Sequence, residues 1–139
     1  MQIIIYISRA KQNFTSGDLA DLRDLADARN RSEDITGLLL SDGARFIQAL
    51  EGDAAAVQAV MDRIAKDSRH DNISYLRPIT TNCRQFRKWT TEYLAERDLG
   101  EERGFLDRVM RHVADVECDS IKAVFIGFAA LSLSRRLTF

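Results

Sequence analysis

Three features of this sequence predict an α+β domain. The runs Gln2–Ser8 and Ile35–Ser41 are almost wholly apolar, the pattern of strands covered on both faces. Leu19, Leu22, Leu25 and Ala26, and then Val57, Val60, Met61 and Ile64, recur at helical spacing. Strand-like and helix-like runs alternate over roughly the first two thirds of the chain, and two more helical segments follow.

Taken in order, Gln2–Ser8 puts Ile3, Ile5 and Ile7 on one strand face and Ile4, Tyr6 and Ser8 on the other, so it belongs at the centre of a sheet. Thr15-Ser16-Gly17-Asp18 resembles a capping box with Asp in the place of Glu, and the helix it opens should run to about Asn30. Ile35–Ser41 is the next strand. Asp42-Gly43 is a two-residue hairpin signal of type I′, and the strand Ala44–Glu51 returns antiparallel. Gly52-Asp53 opens a second helix with Asp53 as N-cap, and its end gathers Arg63, Lys66, Arg69 and His70. Ile73–Ile79 reads as a strand with Pro78 marking an edge, a bulge or its end, and Trp89–Leu94 reads as the last strand. The order βαββαββ is close to a ferredoxin-like sheet with two helices on one face.

The tail is predicted to cover the other face. Phe105, Val109 and Val113 mark one helix. Ser120 to about Ser134, capped by Asp119, marks another that is apolar all round between Ala123 and Leu131. That segment is too short to span a bilayer; packing on the sheet with a subunit contact is the expectation, and membrane-surface binding is the alternative. The chain divides near Leu99-Gly100 into a domain over 1–98 and a two-helix extension over 99–139.

Composition removes several function classes. A net charge of −1 gives no electrostatic basis for binding nucleic acid. The N-terminus lacks a basic n-region and a small-residue cleavage site, and Cys83 and Cys118 form neither a metal spacing nor a disulfide framework. A cytoplasmic protein with reduced thiols and no transmembrane segment is expected. Phosphate loops, nucleophile elbows and metal-ligand runs are missing from the sequence; composition alone puts His70 at the surface, and its place on an amphipathic tail helix puts His112 there.

The unusual residue is Gln48. Alternation places it with Phe46 and Leu50 on a face that reads as core, where an unsatisfied amide would cost roughly 1–3 kcal/mol. Tyr6 sits in the same way between Ile4 and Ser8. A strand Tyr is ordinarily a core residue with its hydroxyl satisfied, a strand Gln ordinarily faces solvent, and Asn30 at a helix end is ordinarily a cap. Together they describe a flat apolar slot between two helices, with amides on its polar edge and basic residues at its mouth. A planar heteroaromatic ring with a phosphate tail would suit it.

The run Ile5-Tyr6-Ile7-Ser8, Asn30 ahead of Ile35-Thr36-Gly37-Leu38-Leu39-Leu40, Phe46-Ile47-Gln48-Ala49-Leu50-Glu51-Gly52, Lys66-Asp67-Ser68-Arg69-His70 and Phe86-Arg87-Lys88-Trp89 resemble the BLUF family of blue-light sensors that use FAD. The resemblance covers about Gln2 to Leu94. It implies FAD held between the two helices, with Tyr6 as photochemical electron donor and Gln48 bridging Tyr6 to the flavin N5/O4 edge. Asn30 would bond the carbonyl edge, Leu22 would pack on the ring, Asp67, Arg69 and His70 would lie near the ring or ribityl chain, and Arg63 and Lys66 would meet phosphate. After light, Gln48 would emerge rotated or tautomerised, with a small red shift of the flavin. Ser8, Trp89 and Thr91 would relay the signal; the family often carries Met two residues after Trp, and here Thr91 takes that place.

No cyclase, phosphodiesterase or DNA-binding module is expected after the sensor. Output would pass to a separate effector protein, through a homo-oligomer, or both, and the chain would not be an enzyme. A flavin-less ferredoxin-like adaptor is the alternative. A ferredoxin-like enzyme such as an acyl phosphatase or a small-molecule isomerase would need a catalytic pair that the sequence does not offer.

Overall fold

The computed structural model describes residues 1–11, 16–76, 78–93 and 102–137. The elements run β1 (Gln2–Ala10), α1 (Ser16–Ser32), β2 (Thr36–Ser41), β3 (Arg45–Gly52), α2 (Ala54–Ala65), β4 (His70–Tyr75), β5 (Ile79–Thr80), β6 (Trp89–Tyr93), α3 (Glu102–His112) and α4 (Asp119–Leu137). The sheet order is β4-β1-β3-β2-β6, with the short β5 pairing the start of β1. All pairings are antiparallel except β2 with β6. The α+β, ferredoxin-like expectation holds, with a parallel edge strand added.

Alternation along the strands divides the core in two. Ile3, Ile5, Leu38, Leu40, Ile47 and Ala49 join Phe105, Val109, Val113, Ile121 and Phe125 of α3 and α4. Ile4, Tyr6 and Leu50 join Val57, Val60 and Met61 of α2 on the opposite side. The tail helices therefore do cover the second sheet face.

Several local expectations change. The hairpin loop is Gly43-Ala44, one residue later than expected: Asp42 N–H bonds Arg45 O at 3.2 Å, and only Gly43 has positive φ (+86°). That is the pattern of a type II′ turn. Asp42 stays out of the loop because its Oδ1 accepts from the N–H groups of Ala44 (2.9 Å) and Arg45 (2.7 Å). Asp53 occupies the N-cap position of α2 without a side-chain capping bond. The strand expected over Ile73–Ile79 is two strands, because Pro78 has no N–H to continue the ladder. β4 starts at His70, so His70 belongs to the sheet rather than to the end of α2.

In the tail, Cys118 rather than Asp119 is the N-cap of α4, since its carbonyl accepts from Lys122 N–H at 3.2 Å. α4 is not buried all round; Leu131 is 59% exposed. His112 is half-buried, and its Nε2 donates to Glu92 of β6 at 3.0 Å instead of facing solvent. Thr15 of the expected capping box, Leu94 at the end of the last strand, and the boundary near Leu99-Gly100 lie outside the described residues.

Candidate functional site

Antiparallel register places Tyr6 opposite Gln48, and Gln48 opposite Leu39 on its other side. These three side chains form a row on the α1/α2 face. Parallel pairing extends the row to Thr91, opposite Leu39. The next row holds Trp89 beside Gly37, where only glycine fits: φ is +149°, and an added Cβ would lie 1.9 Å from Ala49 O and 3.3 Å from Trp89. Trp89 thereby packs against the apolar residues of the cleft side.

Above the row, α1 and α2 stand apart over a cleft. Its floor is Tyr6, Gln48, Leu39 and Phe46; its walls are Leu22, Leu25 and Ala26 of α1 and Val60 and Ile64 of α2. Asn30 lies at one end, and Arg29, Arg63, Arg69, Asp67 and His70 complete the rim. Leu22, Leu25 and Ala26 of α1 face this space, and Leu25 is 47% exposed.

The polar groups are held in defined ways. Tyr6 Oη donates a short hydrogen bond to Gln48 Oε1. Burial pushes the Tyr6 phenol well above its usual pKa, and the charge of Asp67 adds to that, so Tyr6 is a neutral donor. Gln48 is 3% exposed and Asn30 2%, and among the described residues neither the amide nitrogen of Gln48 nor the side chain of Asn30 has a protein partner. Two buried amides thus keep hydrogen-bonding capacity for something in the cleft. His70 Nε2 donates to Ile64 O (2.7 Å), because a carbonyl can only accept, and its Nδ1 meets Ser8 Oγ (2.8 Å). The ring stands edge-on to Tyr6 and Phe46, with centroids 6.0 and 6.3 Å away. Asp67 accepts from the Arg69 guanidinium and from Arg69 N–H (2.9 Å), and those bonds hold its carboxyl below the ordinary range. Arg63 bonds Glu33 across the mouth at 2.9 Å.

Eight expected site residues line this one cleft: Tyr6, Leu22, Asn30, Gln48, Arg63, Asp67, Arg69 and His70. Lys66 does not; it is the exposed C-cap residue of α2. Ser8 lies behind His70. The side chains of Trp89 and Thr91 share the cleft side of β6 without lining it, and both Trp89 Nε1 and Thr91 Oγ1 are buried without a partner among the described residues. Leu39 stands between Thr91 and Gln48, so they do not meet directly. Arg29 was missed, although it continues the stripe 22, 25, 26, 29 on α1. Glu51 was missed as well. Alternation puts it on the face opposite Gln48, where it is wholly buried and accepts from Thr36 Oγ1, Gln85 N–H and Phe86 N–H.

The donor set fits a flavin dinucleotide: apolar walls for a flat ring, two amides for its polar edge, and arginines for phosphate. Comparison with known proteins agrees. Residues 1–92 match the family model described as "BLUF: Sensors of blue-light using FAD". A photoactivated adenylate cyclase subunit alpha-like protein of Euglena gracilis is 41% identical over 70 residues, half of this chain and 7% of that protein. The blue light- and temperature-regulated antirepressor BluF of Escherichia coli is 33% identical over 85 residues, 61% of this chain and 21% of that protein. The chain thus spans a small part of the curated relatives it matches. A structure of Klebsiella pneumoniae BlrP1 with manganese and cyclic diGMP superposes with a TM-score of 0.77 at 29% identity, over 93% of this chain and 32% of that one. The chain belongs to the BLUF family of blue-light sensors, which use FAD and are sensors rather than enzymes in themselves.

Proposed function

We propose that this chain is a blue-light receptor whose switch is the Tyr6–Gln48 pair. The observation that carries this reading is the buried Tyr6 Oη–Gln48 Oε1 hydrogen bond at the floor of the cleft. When bound, FAD supplies the blue absorption and an electron-accepting ring. Asn30 and the free end of Gln48 would hold its polar edge, Leu22 and Ile64 its faces, and Arg29, Arg63 and Arg69 its phosphates.

Tyr6 gives up an electron together with its phenolic proton, which leaves along the hydrogen bond to Gln48. A neutral phenol suits this role, because oxidation makes it strongly acidic while an unoxidised Tyr6 keeps its proton. Gln48 has chemically different ends, an acceptor carbonyl and a donor NH2. When electron and proton return to Tyr6, the amide is left re-paired by rotation or tautomerisation, and the cleft keeps an altered hydrogen-bond pattern without lasting chemistry. Ser8, Trp89 and Thr91 lie along the sheet from this pair, and β6 with the C-terminal helices carries the change to a separate effector or to a second copy of the chain. Among the described residues no helix is long and apolar enough to cross a membrane.

The test is an absorption spectrum of the purified, FAD-loaded protein before and after blue light. A small red shift that decays in darkness is expected, and Tyr6→Phe and Gln48→Leu should each abolish it. A shift that survives in both variants would sink the assignment. A protein that takes up no FAD would point to the adaptor reading.

A further inference from the structure

β3 presents different residues to its two sides. Gln48 points to the cleft, while Arg45, Ile47, Ala49 and Glu51 point to α3 and α4. At one end of the strand, the buried Glu51 carboxylate accepts from Gln85 N–H at 2.6 Å and from Phe86 N–H at 2.9 Å. Gln85 is itself buried, and its Oε1 accepts from the N–H groups of Glu117 (2.9 Å) and Cys118 (3.0 Å), where α4 begins. At the other end, Ser132 of α4 donates to Asp42 of the hairpin at 2.7 Å, and the Arg45 guanidinium lies 5.0 Å from the centroid of the Phe128 ring.

The two attachments match in length. From Cys118 to Ser132 a helix rises about 21 Å, and from Arg45 to Glu51 a strand covers about 20 Å. α4 therefore lies antiparallel along β3 and is fastened at both ends of the strand that carries Gln48. Ile47 and Ala49 of β3 and Ile121, Phe125 and Phe128 of α4 belong to one apolar cluster, and packing of that kind is non-directional and fixes no register. The hydrogen bonds at the ends are directional and do.

We infer that this two-ended clamp couples α4 to β3, with Gln85 and Ser132 as positioning residues that pass a displacement of β3 at Gln48 to the tail helix. The inference rests on the light-receptor reading for the source of the displacement, and not for the clamp itself.

The test uses the full chain loaded with FAD and the double variant Gln85→Leu/Ser132→Ala. Glu51 keeps its backbone donors in that variant and Asp42 keeps the N–H groups of Ala44 and Arg45, so no buried carboxylate loses all its partners. Hydrogen exchange of the α4 amides is measured in darkness and under blue light. The light-minus-dark change should fall roughly fivefold or more in the double variant, the scale of one lost hydrogen bond, with the flavin red shift unaltered. Gln85→Glu, which still offers an oxygen to both N–H groups, should retain the change. An equal light response of α4 in the double variant would overturn the clamp. A second arm needs no photochemistry: in darkness, Gln48→Leu should perturb α4 exchange in the clamped chain and not in the unclamped one. A protein without a red shift would overturn the receptor reading while this arm still decides the clamp, and an α4 that ignores Gln48→Leu in the clamped chain would overturn the clamp.

Discussion

On the α3/α4 side of the sheet, Ile3, Ile5, Leu38 and Ile47 meet Phe105, Val109 and Phe125, all of them closed to solvent. On the α1/α2 side the same strands present Tyr6 and Gln48 to a cleft, under a helix whose Leu25 is half exposed. One face is finished by protein; the other is left for a ligand to finish. A break in the usual rule of apolar residues inside, confined to one face of an otherwise regular sheet, is what separates a binding site from a core.

The largest expected effect breaks the closed face alone. Phe125→Ala removes a fully buried ring that also meets Phe86 edge-on at 6.2 Å. It should destabilise the chain by about 3–5 kcal/mol, whereas Leu25→Ala on the open face should stay within about 0.5 kcal/mol in the absence of FAD. Urea denaturation of the two variants measures the contrast. Similar losses would mean that the open face is packed as a core.

The second effect separates the faces by pH. The folded-state pKa of Tyr6 is raised far above the unfolded value of about 10. Its contribution is therefore fully present below pH ~10 and is lost as pH rises from there toward the folded value, at up to about 1.4 kcal/mol per pH unit. Tyr6→Phe should remove that alkaline slope while leaving stability at pH 7 within about 1.5 kcal/mol, the net worth of one hydrogen bond. Denaturation at pH 7 and near pH 11 checks it, and an unchanged slope in the variant would show that the phenol ionises freely.

The two faces were also unequally legible. Gln48 and Tyr6 could be found from alternation alone, because a polar residue at an apolar strand position is a local signal. Asn30, Arg69 and His70 could be placed at the slot from the helix ends they mark, Leu22 and Asp67 came with the family resemblance, and the structure brings all five to one cleft. Glu51 carries the same kind of signal, a polar residue on the Ile47 and Ala49 face, but Gln85 gave none: the partners of its side chain lie 32 and 33 residues away in sequence, and only the folded chain brings it to the start of α4. His112 was misplaced for the same reason, since its partner Glu92 is on another element. The hairpin shifted by one residue because an Asp side chain can bond the backbone beyond it, a competition that the dipeptide Asp-Gly does not reveal.

The smallest effect belongs to the rim of the closed face, where the polar groups are ion pairs instead of neutral groups. Glu92 of β6 accepts from His112 Nε2 and from Arg108 Nε, each at 3.0 Å. The hydrogen bond from His112 first, and then the Arg108 guanidinium, hold its carboxyl below the ordinary range. A depressed folded pKa contributes stability that is present above the unfolded value of about 4.3 and is lost as pH falls through the folded one. This is the opposite sign to Tyr6, so acid should loosen the α3 contact with β6 and alkali the floor of the cleft. Because the pair is partly exposed, solvent screening limits it to about 1 kcal/mol or less. Glu92→Gln should cost that much at pH 7 and converge with the parent chain near pH 3, read by thermal denaturation at both values. A difference that persists in acid would mean that Glu92 acts through packing of its side chain against α3, and the contrast between the two faces would then rest on Tyr6 alone.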